Sequence, residues 1–207
     1  MKFAHSMTRR TDEGVTLIEM MVALIILSIG LLGLAGLQAA TTKYRITTMS
    51  RTAGTGLVFD LSERIRINAD AAGPSFMQEG SSTTSLYTIT ADWATQQKNS
   101  NFTVTKNCNS AACSSSERAT FDLLSWRQKV RESMPQGSAM LSGNKRDGIA
   151  VTLMWFDKEF TDGSSDATLQ KAPTCNADQS GMARQTCCPA EAKAVEGVRC
   201  SRFSFVP

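Results

Sequence analysis

Residues 20–37, MMVALIILSIGLLGLAGL, are an apolar run of eighteen residues with no charge, and one carboxylate, Glu19, stands at its N-terminal edge. At about 1.5 Å of rise per residue, a helix of roughly 20 residues crosses a hydrocarbon core of about 30 Å. The run therefore predicts a single membrane-spanning helix close to the N-terminus. Before it, residues 1–14 carry Lys2, Arg9 and Arg10, and the positive-inside tendency keeps such an end in the cytoplasm. Whatever follows the run then lies on the opposite side of the membrane.

Glu19 needs a reason to be there. A charged side chain costs about 2.5–3.5 kcal/mol at the centre of a membrane helix on insertion scales, so one at its edge is a functional candidate by default. The segment Gly14-Val15-Thr16-Leu17-Ile18-Glu19 resembles the cleavage and methylation motif of type IV pilins and type II secretion pseudopilins. The family usually has Phe where this chain has Val15, and often a basic residue where it has Glu13. The resemblance implies that a prepilin peptidase cuts between Gly14 and Val15 and N-methylates Val15. The new amine lies four residues upstream of Glu19 on the same helical face and supplies the missing counterion. In the family such a pair, within a subunit or between neighbours, is thought to set axial register during assembly.

The chain has 207 residues and a formal net charge of +3. That length suits one membrane helix and one globular domain. No basic run with interleaved aromatics appears, so nothing points to nucleic acid. The single histidine, His5, lies in the leader, which removes histidine acid–base, triad and zinc chemistry from the mature chain. No G-x-S-x-G nucleophile pattern occurs. The reading is therefore not an enzyme, with no cofactor, although a membrane-anchored periplasmic enzyme is the rival of a different class.

Six cysteines, Cys108, Cys113, Cys175, Cys187, Cys188 and Cys200, all follow the apolar run. On the periplasmic side disulfides persist, and six cysteines allow 15 full pairings. Cys108–Cys113 is the first choice, closing a short polar loop. Cys187 and Cys188 are adjacent and are expected to pair outward with Cys175 and Cys200, in an order the sequence leaves open. Their spacings match no common zinc pattern.

Beyond the run, Gly30, Gly33 and Gly36 allow close helix packing in lipid or local unwinding on leaving it. Leu57, Val58, Leu61 and Ile65 continue the helix as an amphipathic segment to about Asn68, with a bend expected at Gly54 and Gly56. Residues 73–85 read as a loop. Residues 86–89 and 102–104 read as short strands, and residues 91–100 as a helical turn or loop between them. Ser114 and Glu117 form a capping-box pattern. The helix they open runs to about Met134, with Phe121, Leu124, Trp126 and Val130 inward, and Pro135 stops it. Residues 149–157 are the clearest strand, with Ile149, Val151, Leu153 and Trp155 on one face. Residues 157–197 are long and irregular, and 198–206 form a closing strand.

Residues 60–68, DLSERIRIN, resemble the D-L-x-x-R-[MI]-R-x-N segment of the PilV (type IV pilus modification protein) group of minor pilins, and residues 31–38, LLGLAGLQ, resemble its membrane helix. Asp122, Trp126 and the turn at Pro135–Gly137 resemble a D-x-x-x-W helix and L-P-x-G turn of the same group. For energetics, Arg64 and Arg66 read as a solvated helix face. The resemblance implies an α+β pilin fold: a long N-terminal membrane-spanning helix packed on an antiparallel sheet of about four strands. It further implies a leader (1–14), a transmembrane and polymerisation helix (15–40) and a periplasmic head (41–207). The expected role is a minor pilin in the inner membrane that primes type IV pilus assembly and supports twitching motility. Its partners would be prepilin peptidase, the major pilin, other minor pilins and the assembly platform. A minor pseudopilin of a type II secretion system is the nearest alternative.

Overall fold

The computed structural model describes residues 14–74, 84–98, 102–164 and 166–207. Residues 1–13 of the expected leader, most of the loop expected at 73–85 and the end of the 91–100 segment lie outside the described residues. The chain divides into two units, residues 1–44 and 45–207. One helix, α1 (Leu17–Ile67), supplies residues to both. In the first unit its stretch Leu17–Thr42 is 26 residues long, apolar enough to cross a membrane, and wholly exposed. The helix is continuous through Gly30, Gly33 and Gly36, each of which has open space where a Cβ would stand.

The second unit is an α+β head. The last turns of α1 bury Leu57, Leu61 and Ile65 along one apolar face, while Arg66 and the apolar Phe59 and Ile67 stay exposed. A short 3-10 turn (Ala69–Ala72) follows. Then come α2 (Trp93–Lys98), α3 (Ser115–Ser133), β1 (Ser138–Asn144), β2 (Gly148–Phe156), α4 (Gly181–Thr186), a second 3-10 turn (Ala190–Ala192) and β3 (Val198–Phe205). The sheet is antiparallel in the order β1-β2-β3. In it Leu141 faces Val151 and Met154 faces Cys200.

α3 begins as its sequence predicts. The Glu117 N–H donates to Ser114 Oγ at 3.3 Å, and Glu117 Oε2 accepts from the Ser114 N–H at 2.8 Å. The two reciprocal bonds satisfy orphan donors of the first turn. Trp126 and Val130 are buried with Leu57, Leu61 and Ile65 against Ile149, Val151, Leu153 and Trp155 of β2. The Trp126 indole also donates to the Leu57 carbonyl at 2.7 Å, satisfying the polar end of a buried aromatic.

The alternation along β2 predicts one buried face, yet Thr152 and Met154 on the other face are buried too. The cause is the long excursion between β2 and β3. It lays Ala172, Cys188, Ala192 and Ala194 over Met154, together with Trp93, Val198 and Cys200, as a second apolar cluster. The Arg199 Nε donates to Asp157 Oδ2 at 2.7 Å, and its guanidinium lies 4.2 Å from the Phe160 ring centroid. These contacts fasten the start of the excursion to β3.

Three sequence expectations need correction. The sheet has three strands among the described residues, against about four expected: residues 102–104 form none, and residues 86–90 contribute a single bridge, Ile89 to Leu141. The outer edge of β1 is met instead by that bridge and by the buried Gln96, whose Oε1 accepts from the Ala139 N–H at 3.3 Å and whose Nε2 donates to the Ala139 carbonyl at 3.0 Å. A side-chain amide thus stands in for a strand partner. Secondly, α1 runs unbroken through Gly54 and Gly56. A Cβ on Gly54 would come within 3.1 Å of Leu153 Cδ1, so this glycine lets β2 approach the helix and does not bend it. Thirdly, Arg64 is no solvated side chain, as its partners below show.

Candidate functional site

Gly14 and Val15 are exposed and precede α1. The Thr16 N–H donates to Glu19 Oε2 at 2.9 Å, the Thr16 hydroxyl donates to the same oxygen at 3.0 Å, and the Glu19 N–H donates to Thr16 Oγ1 at 3.4 Å. This is a second capping box, T-x-x-E. It places a carboxylate at the positive end of the helix dipole. Glu19 is therefore satisfied by its own helix start, and its partner is Thr16. The spacing was available in the sequence but is hidden inside the processing motif.

The six cysteines form three disulfides, and no cysteine is free. Cys108–Cys113 spans 5.6 Å between Cα atoms, Cys175–Cys187 spans 4.9 Å and Cys188–Cys200 spans 5.3 Å. The adjacent pair does pair outward. Cys187 has extended backbone (φ −73°, ψ 153°), and successive side chains on extended chain point to opposite sides. One sulfur reaches back to Cys175 while the next reaches Cys200 on β3.

The residues that carry the resemblance in the head come together. Asp60 and Arg64 lie four residues apart on one side of α1, and Asn68 follows directly after its last residue. Arg64 donates from Nε to Asp60 Oδ2 at 3.0 Å and from Nη1 to Asp122 Oδ1 of α3 at 3.2 Å. The buried Tyr87 hydroxyl donates to Asp122 Oδ2 at 2.8 Å. Asn68 Nδ2 donates to the Tyr87 oxygen at 3.1 Å and to the Ser115 carbonyl at 2.8 Å. Lys129 Nζ reaches Asp60 at 3.1 Å. Burial is the largest cause pushing the Tyr87 phenol above its ordinary range, and Asp122 adds to it. Arg66 is exposed and pairs with Glu63 at 3.0 Å, as a solvated face requires. Tyr87 carries no sequence signal for this role; only the tertiary contact reveals it.

An S-x-x-K spacing, Ser142 to Lys145, also exists. It lies at the β1–β2 turn, with Ser142 exposed and no hydrogen bond joining the two side chains. It has the sequence spacing of a nucleophile and base without their geometry.

Residues 9–35 match the family described as Prokaryotic N-terminal methylation motif. The match covers the end of the leader, the Gly14–Glu19 segment and most of the apolar run. No curated protein and no solved structure matches the chain. The motif and the apolar helix that carries it support a type IV pilin-like or pseudopilin-like protein.

Proposed function

We propose that the chain is a minor pilin of the PilV type, a structural subunit that primes type IV pilus assembly and supports twitching motility. The observation that carries this reading is the convergence of Asp60, Arg64 and Asn68 with Asp122 in one partly buried polar network. These are the head residues through which the sequence resembles that group. Asp122 stands more than fifty residues along the chain from the other three, and the two segments are joined through Arg64 and Tyr87.

In this reading residues 1–14 are the leader, 15–40 the membrane and polymerisation helix, and 41–207 a head held in the periplasm from the inner membrane. Prepilin peptidase cuts after Gly14 and methylates Val15. The cut frees Val15 to present an amine, and methylation leaves its positive charge. Glu19 then exchanges a cap on Thr16 for a full countercharge, its own or that of a neighbouring subunit. The latter fixes register when the helix joins major and minor pilins at the assembly platform.

Deletion of the gene in its own host tests the proposal. Loss of surface pili and twitching supports it. Loss of exoprotein secretion with pili intact supports a type II pseudopilin instead, since both classes share the N-terminal motif.

A further inference from the structure

The segment 86–90 leaves half of its hydrogen-bonding capacity unused. Ile89 exchanges both backbone bonds with Leu141 at 3.0 Å. In an antiparallel ladder the flanking residues then point their N–H and C=O groups the other way. Those residues are Thr88 and Thr90, both exposed, and their backbone groups have no partner among the described residues. They border a groove of about 310 Å³ whose walls include Ile89, Leu123, Leu124 and Arg127. Such an unpaired edge is a template for another strand.

Arg127 gives the groove its chemistry. Its guanidinium is half-buried, lies 5.1 Å from the Phe102 ring centroid, and reaches no carboxylate among the described residues. One turn along α3, Arg131 bonds the Gln96 carbonyl at 2.7 Å and the side chain of Gln97. Burial, then the neighbouring Arg131 charge, lowers the pKa of Arg127. A desolvated cation beside another cation is costly unless an anion arrives.

We propose that this groove takes an extended peptide segment from a partner chain, added as a strand beside residues 88–90 with a carboxylate side chain against Arg127. The unpaired main-chain groups demand a peptide, and alternate side chains of such a strand find the apolar wall. The guanidinium demands an acid, with the geometry to hold it in a two-pronged bond. That the partner is a neighbouring prepilin-type subunit rests on the function proposed above.

The test uses the full chain in cells, with the photo-crosslinker benzoylphenylalanine in place of Thr90 and adducts mapped by mass spectrometry. The expected adduct lies in a non-helical segment with Asp or Glu within two residues of the linked position, in a chain bearing its own methylation motif. Its yield falls at least fivefold in R127E and in the milder R127Q, with thermal melting checking that both variants fold. An adduct on an acidic strand of a chain without that motif keeps the groove and counts against the filament reading. A helical or acid-free target, a yield indifferent to both Arg127 variants, or no adduct at all overturns the groove.

Discussion

The hydroxyl of Tyr87 donates to Oδ2 of Asp122 at 2.8 Å, and both residues are buried. Asp122 holds α3 to α1 through Arg64, and Tyr87 holds the segment after the 3-10 turn to both. Breaking a buried charge pair from one side leaves the other charge unpartnered and costs about 3–5 kcal/mol. Arg64 keeps Asp60 as a second partner, so D122A should cost about 3 kcal/mol. Y87F removes the donor to Asp122 and the acceptor of Asn68 Nδ2 but leaves no charge unpartnered, and should cost about 1–2 kcal/mol. Chemical denaturation of the two variants checks the order.

The two glycines of α1 in the head should respond in opposite directions. G56A meets nothing within 4 Å and should stabilise the head by roughly 0.5–1 kcal/mol, the usual difference in helix propensity. G54V pushes into Leu153 and the neighbouring Met134 and Phe203, and should destabilise it by about 1–3 kcal/mol. Melting curves of both variants decide whether Gly54 is a packing residue or a bend.

The oxidised protein should contain no reactive thiol, by titration under denaturing conditions. Removing the Cys188–Cys200 bridge, which closes a separation of 12 residues, should cost about 3 kcal/mol. Removing Cys108–Cys113, with a separation of 5, should cost about 2 kcal/mol on the same loop-entropy argument.

Acid should loosen the start of α3. The Lys106 ammonium, then the Ser114 N–H, hold the Glu117 carboxyl down to about 2 from an ordinary value of 4.5. A carboxyl lowered in the folded state contributes stability that is present above the unfolded value. That contribution is lost as pH falls from about 4.5 towards 2. Protection of the first-turn amides of α3, relative to their intrinsic exchange rates, should fall over this window in the native chain, and E117Q should abolish the fall.

Glu19 can be separated into its cap and its charge. E19Q keeps the acceptor that a capping box needs, since Gln serves in that position, but has no charge for an amine. E19A loses both. Both variants should still insert and fold. If charge sets register, both should fail to enter a filament in a shearing assay; incorporation of E19Q at the native level would assign the role to the cap.

How much was legible follows from what kind of signal each feature leaves. The apolar run, the strand expected at residues 149–157 (observed at Gly148–Phe156), the Ser114–Glu117 cap and the outward pairing of Cys187 and Cys188 are local patterns, and the structure bears them out. β1 is the opposite case. Its sequence, SAMLSGN, has little strand character, and it forms because β2, Ile89 and Gln96 hold it from both sides. The Arg64–Asp122–Tyr87 network was invisible for the same reason: helical spacing places Arg64 on a face but does not say which residue from α3 will meet it. At the N-terminus the Thr16–Glu19 cap was readable yet masked, because the same residues already had an explanation in the processing motif.

Processing that makes Val15 the working N-terminus, as proposed above, is read in the intact mass of the protein extracted from membranes of its own host. The expected mass lacks residues 1–14 and carries one additional methyl group on Val15. A mass that begins at Met1, from cells with an active prepilin peptidase, would contradict it.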